Sequence, residues 1–257
     1  MSEESDSLWQ GLRREARGNL SARDYSEPTL EARLCSAGME AGEVLEMVRR
    51  QDAELAGLWI PGVRLFPRKV FVQRHRGFFG ELGREHSGIF EEVGFWPCQW
   101  SAATMYAGTS KGFHVHPPHI PAGEEPAEWF GKLYGKAGAG KGFAAPAQEP
   151  PVADEQWDVM FFPRGRVEVF LIDERAGLAR RRLRFWIDGD NHRGPHNAGL
   201  VIPPGVAHAL RVEGSEDALM VYGTTTTFRP EFEGRICSGI ETARLPPEWK
   251  QYFEEDL

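Results

Sequence analysis

From residue 60 onward, short apolar runs alternate with Gly, Pro and Asn turns. The runs include VRLFPRKVFV (63–72), GFWPCQWSAATMYAG (94–108), GFHVH (112–116), QWDVMFFPRG (156–165) and RVEVFLIDER (166–175). RRLRFWIDG, AGLVIPPG, HALRVEG and DALMVYGTTTTF continue the series to residue 228. Many of these positions are β-branched or aromatic, and no helical period separates them. This spacing predicts an all-β fold, an antiparallel sandwich or barrel. The first sixty residues follow another period. In 37–55, Val44, Leu45, Val48 and Leu55 fall at helical offsets beside Met47, with Glu and Arg on the other face. Residues 8–32 are also rich in helix formers but are broken by Gly18 and Pro28. The expected organisation is a helical N-terminal extension over 1–59, a β domain over 60–240 and a C-terminal tail over 241–257.

One segment interrupts the strands. Residues 117–156 are far longer than the usual few-residue connection. Their Pro, Gly and Ala content predicts an ordered insert with a flexible middle. A lid over the preceding residues is one reading of it, and a plain surface excursion is the other. Its GAGKG is not a phosphate loop, because no Ser or Thr follows the lysine.

Composition narrows the function. The 257 residues are 41% hydrophobic, enough for one large domain or two small ones with a sizeable core. A net charge of −8 lacks the basic footprint of a nucleic-acid binder. No apolar run approaches the roughly 20 residues of a membrane span. The start, MSEESDSLWQ, lacks the basic and apolar regions of a signal peptide. Cys35, Cys98 and Cys237 are odd in number and form no CxxC pair, which points to a reducing compartment. A cytoplasmic protein with neither a nucleic-acid nor a membrane partner is expected.

The candidate chemistry centres on KGFHVHPPH, which holds three of the eight histidines. His114 and His116 are two apart in an apparent strand, so both face the same side. Such a pair can hold a metal, or face solvent or substrate as hydrogen-bonded imidazoles. His119 follows two prolines and is either a substrate contact or a surface residue. Further on, PPGVAHAL has the form Pro-x-Gly-x-x-His, with its histidine at His208, and six residues separate Asp158 from Gly165. These pieces resemble the two motifs of the cupin superfamily, whose fold is a jelly-roll barrel. That resemblance implies a ligand set of His114, His116, Asp158 and His208, with Asp in place of the usual Glu. The set suits a divalent Fe, Mn, Ni or Zn ion with open positions.

A resemblance over more of the chain concerns dTDP-4-dehydrorhamnose 3,5-epimerases, which are themselves cupins. PGVRLF, KVF, RGFFGE, QWS, KGFH, GRVEVFLIDER, IPPGVAHAL and VYGTTTTFRPEFEGRI are similar to that family's segments, in the same order. The resemblance implies that His114 is the general base and Tyr222 the acid on the opposite ring face. It implies that Arg76 and Phe79 bind the nucleotide, often across a dimer interface, with Glu81, Gln99 and Lys111 completing the substrate contacts. Lys111 replaces the family's arginine and loses its bidentate geometry. The family's glutamine two residues after the base is His116 here, its lysine is Asp158 and its second tyrosine is Phe228. No match is found for its late aspartate. The first two changes both supply metal-ligand types, although the family itself needs no metal. If His114 binds a metal it cannot also be the free base, and Tyr222, Glu168 or a metal-bound hydroxide would take that role. The leading expectation is an epimerase or isomerase of a keto-sugar or sugar nucleotide, working as a homodimer. An Fe(II)-type cupin oxygenase is the alternative, and a non-catalytic sugar-binding cupin the third.

Overall fold

The computed structural model describes residues 28–134 and 155–228, together with the backbone of 234–235. A helical turn, Leu30–Ala32, is capped by Thr29, whose hydroxyl oxygen accepts from the Ala32 N–H at 3.2 Å, and runs into a π-helical turn, Arg33–Ala37. Strand β1 (Met39–Glu40) leads into helix α1 (Ala41–Arg49) and helix α2 (Ala53–Leu58). Then come β2 (Arg64–Pro67), β3 (Val70–Val72), β4 (Phe78–Gly80), α3 (Ile89–Val93), β5 (Gln99–Met105) and β6 (Ser110–Val115). Helix α4 (Pro126–Tyr134) lies in the insert. The remaining strands are β7 (Asp158–Arg164), β8 (Arg166–Asp173), β9 (Arg182–Asp188), β10 (Ala198–Ile202), β11 (Val206–Val212), β12 (Ala218–Thr224) and β13 (Gly234–Arg235).

The strands form two main sheets, ordered β1-β9-β8-β11-β6-β13 and β2-β10-β7-β12-β5, plus a separate β3–β4 ribbon. This is the antiparallel two-sheet β fold expected from the alternating runs, arranged as the jelly roll that the motif resemblance implies. Among the described residues, however, the sheets share no strand and do not close into a continuous barrel. All strand pairs among the described residues are antiparallel except β1 with β9, where Met39 lies opposite Phe185 and Glu40 opposite Trp186. No helix among the described residues is long and apolar enough to cross a membrane.

The core lies between the sheets and takes in Leu34, Met39, Val44, Leu55 and Trp59 alongside Val169, Leu171, Phe185 and Leu200. Residues expected to form an extension are therefore built into the core from Leu30 on. They are also not one helix. Gln51 adopts a left-handed φ of 55°, and Asp52 starts a new helix by accepting from the Leu55 N–H at 2.9 Å. Trp59 shows how a large side chain is buried without stranding its polar atom. Its ring stacks on Phe185 at 6.5 Å and 15°, while its indole N–H donates to the Val63 carbonyl at 2.9 Å. The flexible middle expected of the insert, the helix formers of 8–27 and the tail of 241–257 lie outside the described residues.

The far side of the six-stranded sheet carries an ionic cluster. Glu168 on β8 is fully buried and accepts from Arg184 of β9 and Arg211 of β11. Arg184 also donates to the Ser36 carbonyl, and Arg181 to the Trp59 carbonyl. These contacts clip the N-terminal segment onto the sheet.

Candidate active site

Register determines which side chains meet. On β11, His208 lies opposite Leu171 and Leu210 opposite Val169, so both share the face that looks at the other sheet. Ala207, Ala209 and Arg211 take the opposite face, with Arg211 opposite Glu168. Period-2 alternation thus removes Glu168 from the candidate bases, because it points away from His208 and into the Arg184–Arg211 cluster.

Across β6, His208 lies opposite His114, and the register shifts between His208 and Leu210. Gly112 makes this approach sterically feasible. Its φ is +135°, and a Cβ there would come within 2.6 Å of the Ala209 Cβ. The Pro-x-Gly turn does similar work at the other end of β11. Gly205 has a φ of +77°, its N–H donates to the His116 carbonyl at 2.8 Å, and a Cβ would meet the Arg175 side chain at 2.5 Å. Behind that turn, Asp173 and Arg175 form a buried bidentate pair at 2.7 and 2.8 Å, and the Arg175 guanidinium lies 4.1 Å from the centre of the Tyr134 ring. One turn therefore ties His116 to the strand that carries His208.

A cavity of about 140 Å³ opens between the sheets. One sheet contributes Lys111, His114, His208 and Leu210; the other contributes Ala103, Asp158, Met160, Met220 and Tyr222; His116 and Gln156 also face it. The shared face expected for His114 and His116 is observed, and both approach His208. The His114 and His208 rings stack at 5.8 Å and 17°, and the His116 and His208 rings are 5.7 Å apart.

Three of the four expected ligands converge. His116, Asp158 and His208 are buried, with ligand atoms within 4.8 Å of one another. His116 Nε2 is 3.2 Å and His208 Nε2 3.6 Å from Asp158 Oδ2. His208 Nδ1 lies 3.2 Å from the Val206 carbonyl, which can only accept, so the proton sits on Nδ1 and Nε2 keeps its lone pair toward Asp158. Ligands of a tetrahedral ion with bonds of about 2.0–2.1 Å stand about 3.3–3.4 Å apart, so this group could hold a metal ion with small adjustment. His114 lies outside the group, held by its stacking on His208. Of the four ligands expected from the motifs, three form this group and His114 stands beside it.

Electrostatics support this arrangement. Burial pushes the His208 imidazole down to about 4, against the opposing pull of Asp158, so it is neutral near pH 7. Burial alone would raise the Asp158 carboxyl, but His116, then His208 and the Gln156 amide, outweigh it and hold it below its usual range. The His208 shift has a testable consequence. Its folded value lies below the unfolded 6.5, so the unfolded chain takes up the proton first. Stability of the metal-free protein should fall as pH drops from about 6.5 toward about 4, and His208→Gln should flatten that part of the curve in denaturant unfolding. A wild-type curve already flat over this range would show that the imidazole is not held neutral.

The remaining expected contacts are scattered. Among the residues assigned to substrate, only Lys111 lines the cavity. Arg76 and Phe79 are exposed at the β3–β4 ribbon, where Phe71 (59%), Val72, Phe78 and Phe79 (51%) form an open apolar surface. Glu81 follows β4 and pairs with Arg84 at 2.8 Å. Gln99 accepts from the Phe228 N–H at 2.9 Å, and the exposed His119 donates its backbone N–H to Glu155 at 3.0 Å. Gln156 was not among the expected site residues. Its position two residues before Asp158 was the available signal, since period 2 puts both on one face.

No protein-family model matches the chain. It is 27% identical over 158 residues to the spore coat polysaccharide biosynthesis protein SpsL of Bacillus subtilis (strain 168), covering 61% of this chain and 74% of that protein. A dTDP-4-dehydrorhamnose 3,5-epimerase from Sulfolobus tokodaii aligns at a TM-score of 0.47 and 21% identity, over 72% of this chain and 80% of its own. A dTDP sugar isomerase from Desulfovibrio desulfuricans G20 superimposes at a TM-score of 0.50 and 15% identity, over 73% of this chain and 90% of its own. With that isomerase the chain shares its fold.

Proposed function

We propose that the protein is an epimerase or isomerase of a keto-sugar carried on a nucleotide, acting by proton abstraction beside the carbonyl. The observation that carries this reading is the placement of His114 and Tyr222 on opposing sheets of one cavity. A base on one side of a bound ring breaks the C–H bond, and the electron pair moves onto the carbonyl oxygen. An acid on the other side returns a proton to that carbon with inverted configuration. Likeness to a polysaccharide biosynthesis protein supports a sugar substrate. Lys111 at the cavity supplies a cation for the substrate's charge. His116, Asp158 and His208 would hold a divalent ion. Such an ion would draw electron density from the carbonyl oxygen as a Lewis acid. The open apolar ribbon supports pairing with a second copy, and the cysteine pattern supports the cytoplasm.

Incubation with a dTDP-4-keto sugar in D₂O should place deuterium on the carbon beside the ketone. Tyr222→Phe should retain exchange but leave inversion incomplete, because one face lacks its donor. No exchange with any 4-keto sugar nucleotide would sink the reading. A second reading rests on one specific observation: two histidines and one carboxylate are the ligand set of non-haem iron oxygenases. Oxygen uptake by the Fe(II)-loaded protein, without exchange, would favour it.

A further inference from the structure

The buried His116–Asp158–His208 group has a fourth polar neighbour. Gln156 Nε2 lies 3.0 Å from Asp158 Oδ1 and 3.1 Å from His116 Nε2. The other end of the amide, Oε1, accepts from the Thr226 hydroxyl at 2.9 Å. The backbone around it is fixed. Thr225 donates its hydroxyl to the Glu155 carbonyl at 2.6 Å and accepts from the Trp157 N–H at 2.8 Å, and Thr224 donates its hydroxyl to the Thr226 carbonyl at 2.6 Å. The TTTT run thus holds Gln156 against two of the three potential ligands.

This amide is poised between two uses. With its NH₂ inward, it donates to the Asp158 carboxylate and lies 3.1 Å from His116 Nε2, and these two potential ligand atoms face one point. A half-turn about its last bond would bring Oε1 to that place and turn the NH₂ toward Thr226. A threonine hydroxyl can donate or accept, so Thr226 satisfies either orientation. A cation at the shared focus reverses the preference, because it repels the NH₂ end of the amide dipole and attracts the oxygen. Resting on the proposal that His116, Asp158 and His208 hold a divalent ion, we infer that Gln156 is a further, neutral oxygen ligand that turns its amide oxygen inward when the ion binds. Without an ion, the same side chain satisfies Asp158 by hydrogen bonding, so the carboxylate has a partner in the empty site as well as in the filled one.

The test is titration of Co(II) into the full-length protein stripped of metal, read by its visible absorption and by competition with Zn(II). Wild type should bind one Co(II) per chain. Gln156→Glu, which puts a charged oxygen at the same reach, should tighten binding by about tenfold or more, and Gln156→Leu should weaken it by about tenfold or more. Gln156→Asn keeps the amide but is one methylene short, so it should weaken binding as Leu does. It decides the question with Gln156→Glu if the Leu variant fails to fold. The Co(II) absorption bands should shift in every variant, and far-UV circular dichroism should show that each metal-free variant used is folded. Binding that is unchanged or tighter in Gln156→Leu and Gln156→Asn would overturn the inference and make the amide an obstacle to the ion. Wild type that takes up no Co(II) would overturn it too. That failure stays distinguishable from failure of the epimerase reading, which the D₂O experiment measures on its own.

Discussion

With His114 replaced by alanine, entry of solvent deuterium into a 4-keto sugar nucleotide will slow by about 10²–10⁴-fold, the usual worth of a positioned general base. Metal content per chain will stay at the wild-type level. The expectation follows from geometry. His114 stacks on His208 but stands outside the group of ligand atoms, and it faces the same cavity as Tyr222 from the opposite sheet. A ligand and a base fail differently when removed. His116→Ala and His208→Ala should each lose metal, because each takes away one of three converging donors. The deciding data are metal per chain and exchange rate in the three single variants. Metal lost from His114→Ala to the same degree as from His116→Ala would return His114 to the ligand set and leave the base to another residue.

The second large effect concerns stability. Glu168→Ala should cost about 3–5 kcal/mol, read as a shift of the denaturant midpoint at unchanged slope. Glu168 is fully buried between Arg184 and Arg211, and both guanidiniums would be left facing each other without their shared carboxylate. Most of that cost is the penalty of the stranded charges, not the net worth of the cluster. Replacing Glu168, Arg184 and Arg211 together with apolar residues of similar volume should therefore recover much of the loss. A Glu168→Ala variant within about 1 kcal/mol of wild type would mean that water or side-chain movement relieves the two arginines.

Much of this was legible because strands write their faces into the sequence. His114-x-His116, Asp158 and the Pro-x-Gly-x-x-His turn each state a direction, and direction inward is what the cavity needs. His114 stands beside the three converging ligand atoms because spacing gives the face but not the position along it. Strand register, which stacks its ring on His208, depends on pairing with residues nearly a hundred positions away. Gln156 was missed for a different reason. An amide is an uncommon ligand, and its partner Thr226 lies 70 positions off. Glu168 was weighed as a base on residue type alone, and the alternation along β8 and β11 decides against it. Arg76, Phe79, Glu81, Gln99 and His119 do not line the cavity of one chain, because motif order carries roles but no contacts. In the N-terminal stretch, helical offsets concealed the two-residue strand β1, which is too short for any period to register.

That short strand bears on how the chain is made. Ser36 meets Arg184 across 148 positions of sequence, and Met39 pairs with Phe185 in the same region. During synthesis at about 5–20 residues per second, the N-terminal segment waits about 7–30 s for its partner strand to be translated. Through that interval Leu34, Met39 and Val44, buried in the finished core, have no β9 to cover them. The earliest-made part of the domain is thus among the last to settle, and nascent-chain chaperones have their longest window on the residues just ahead of α1.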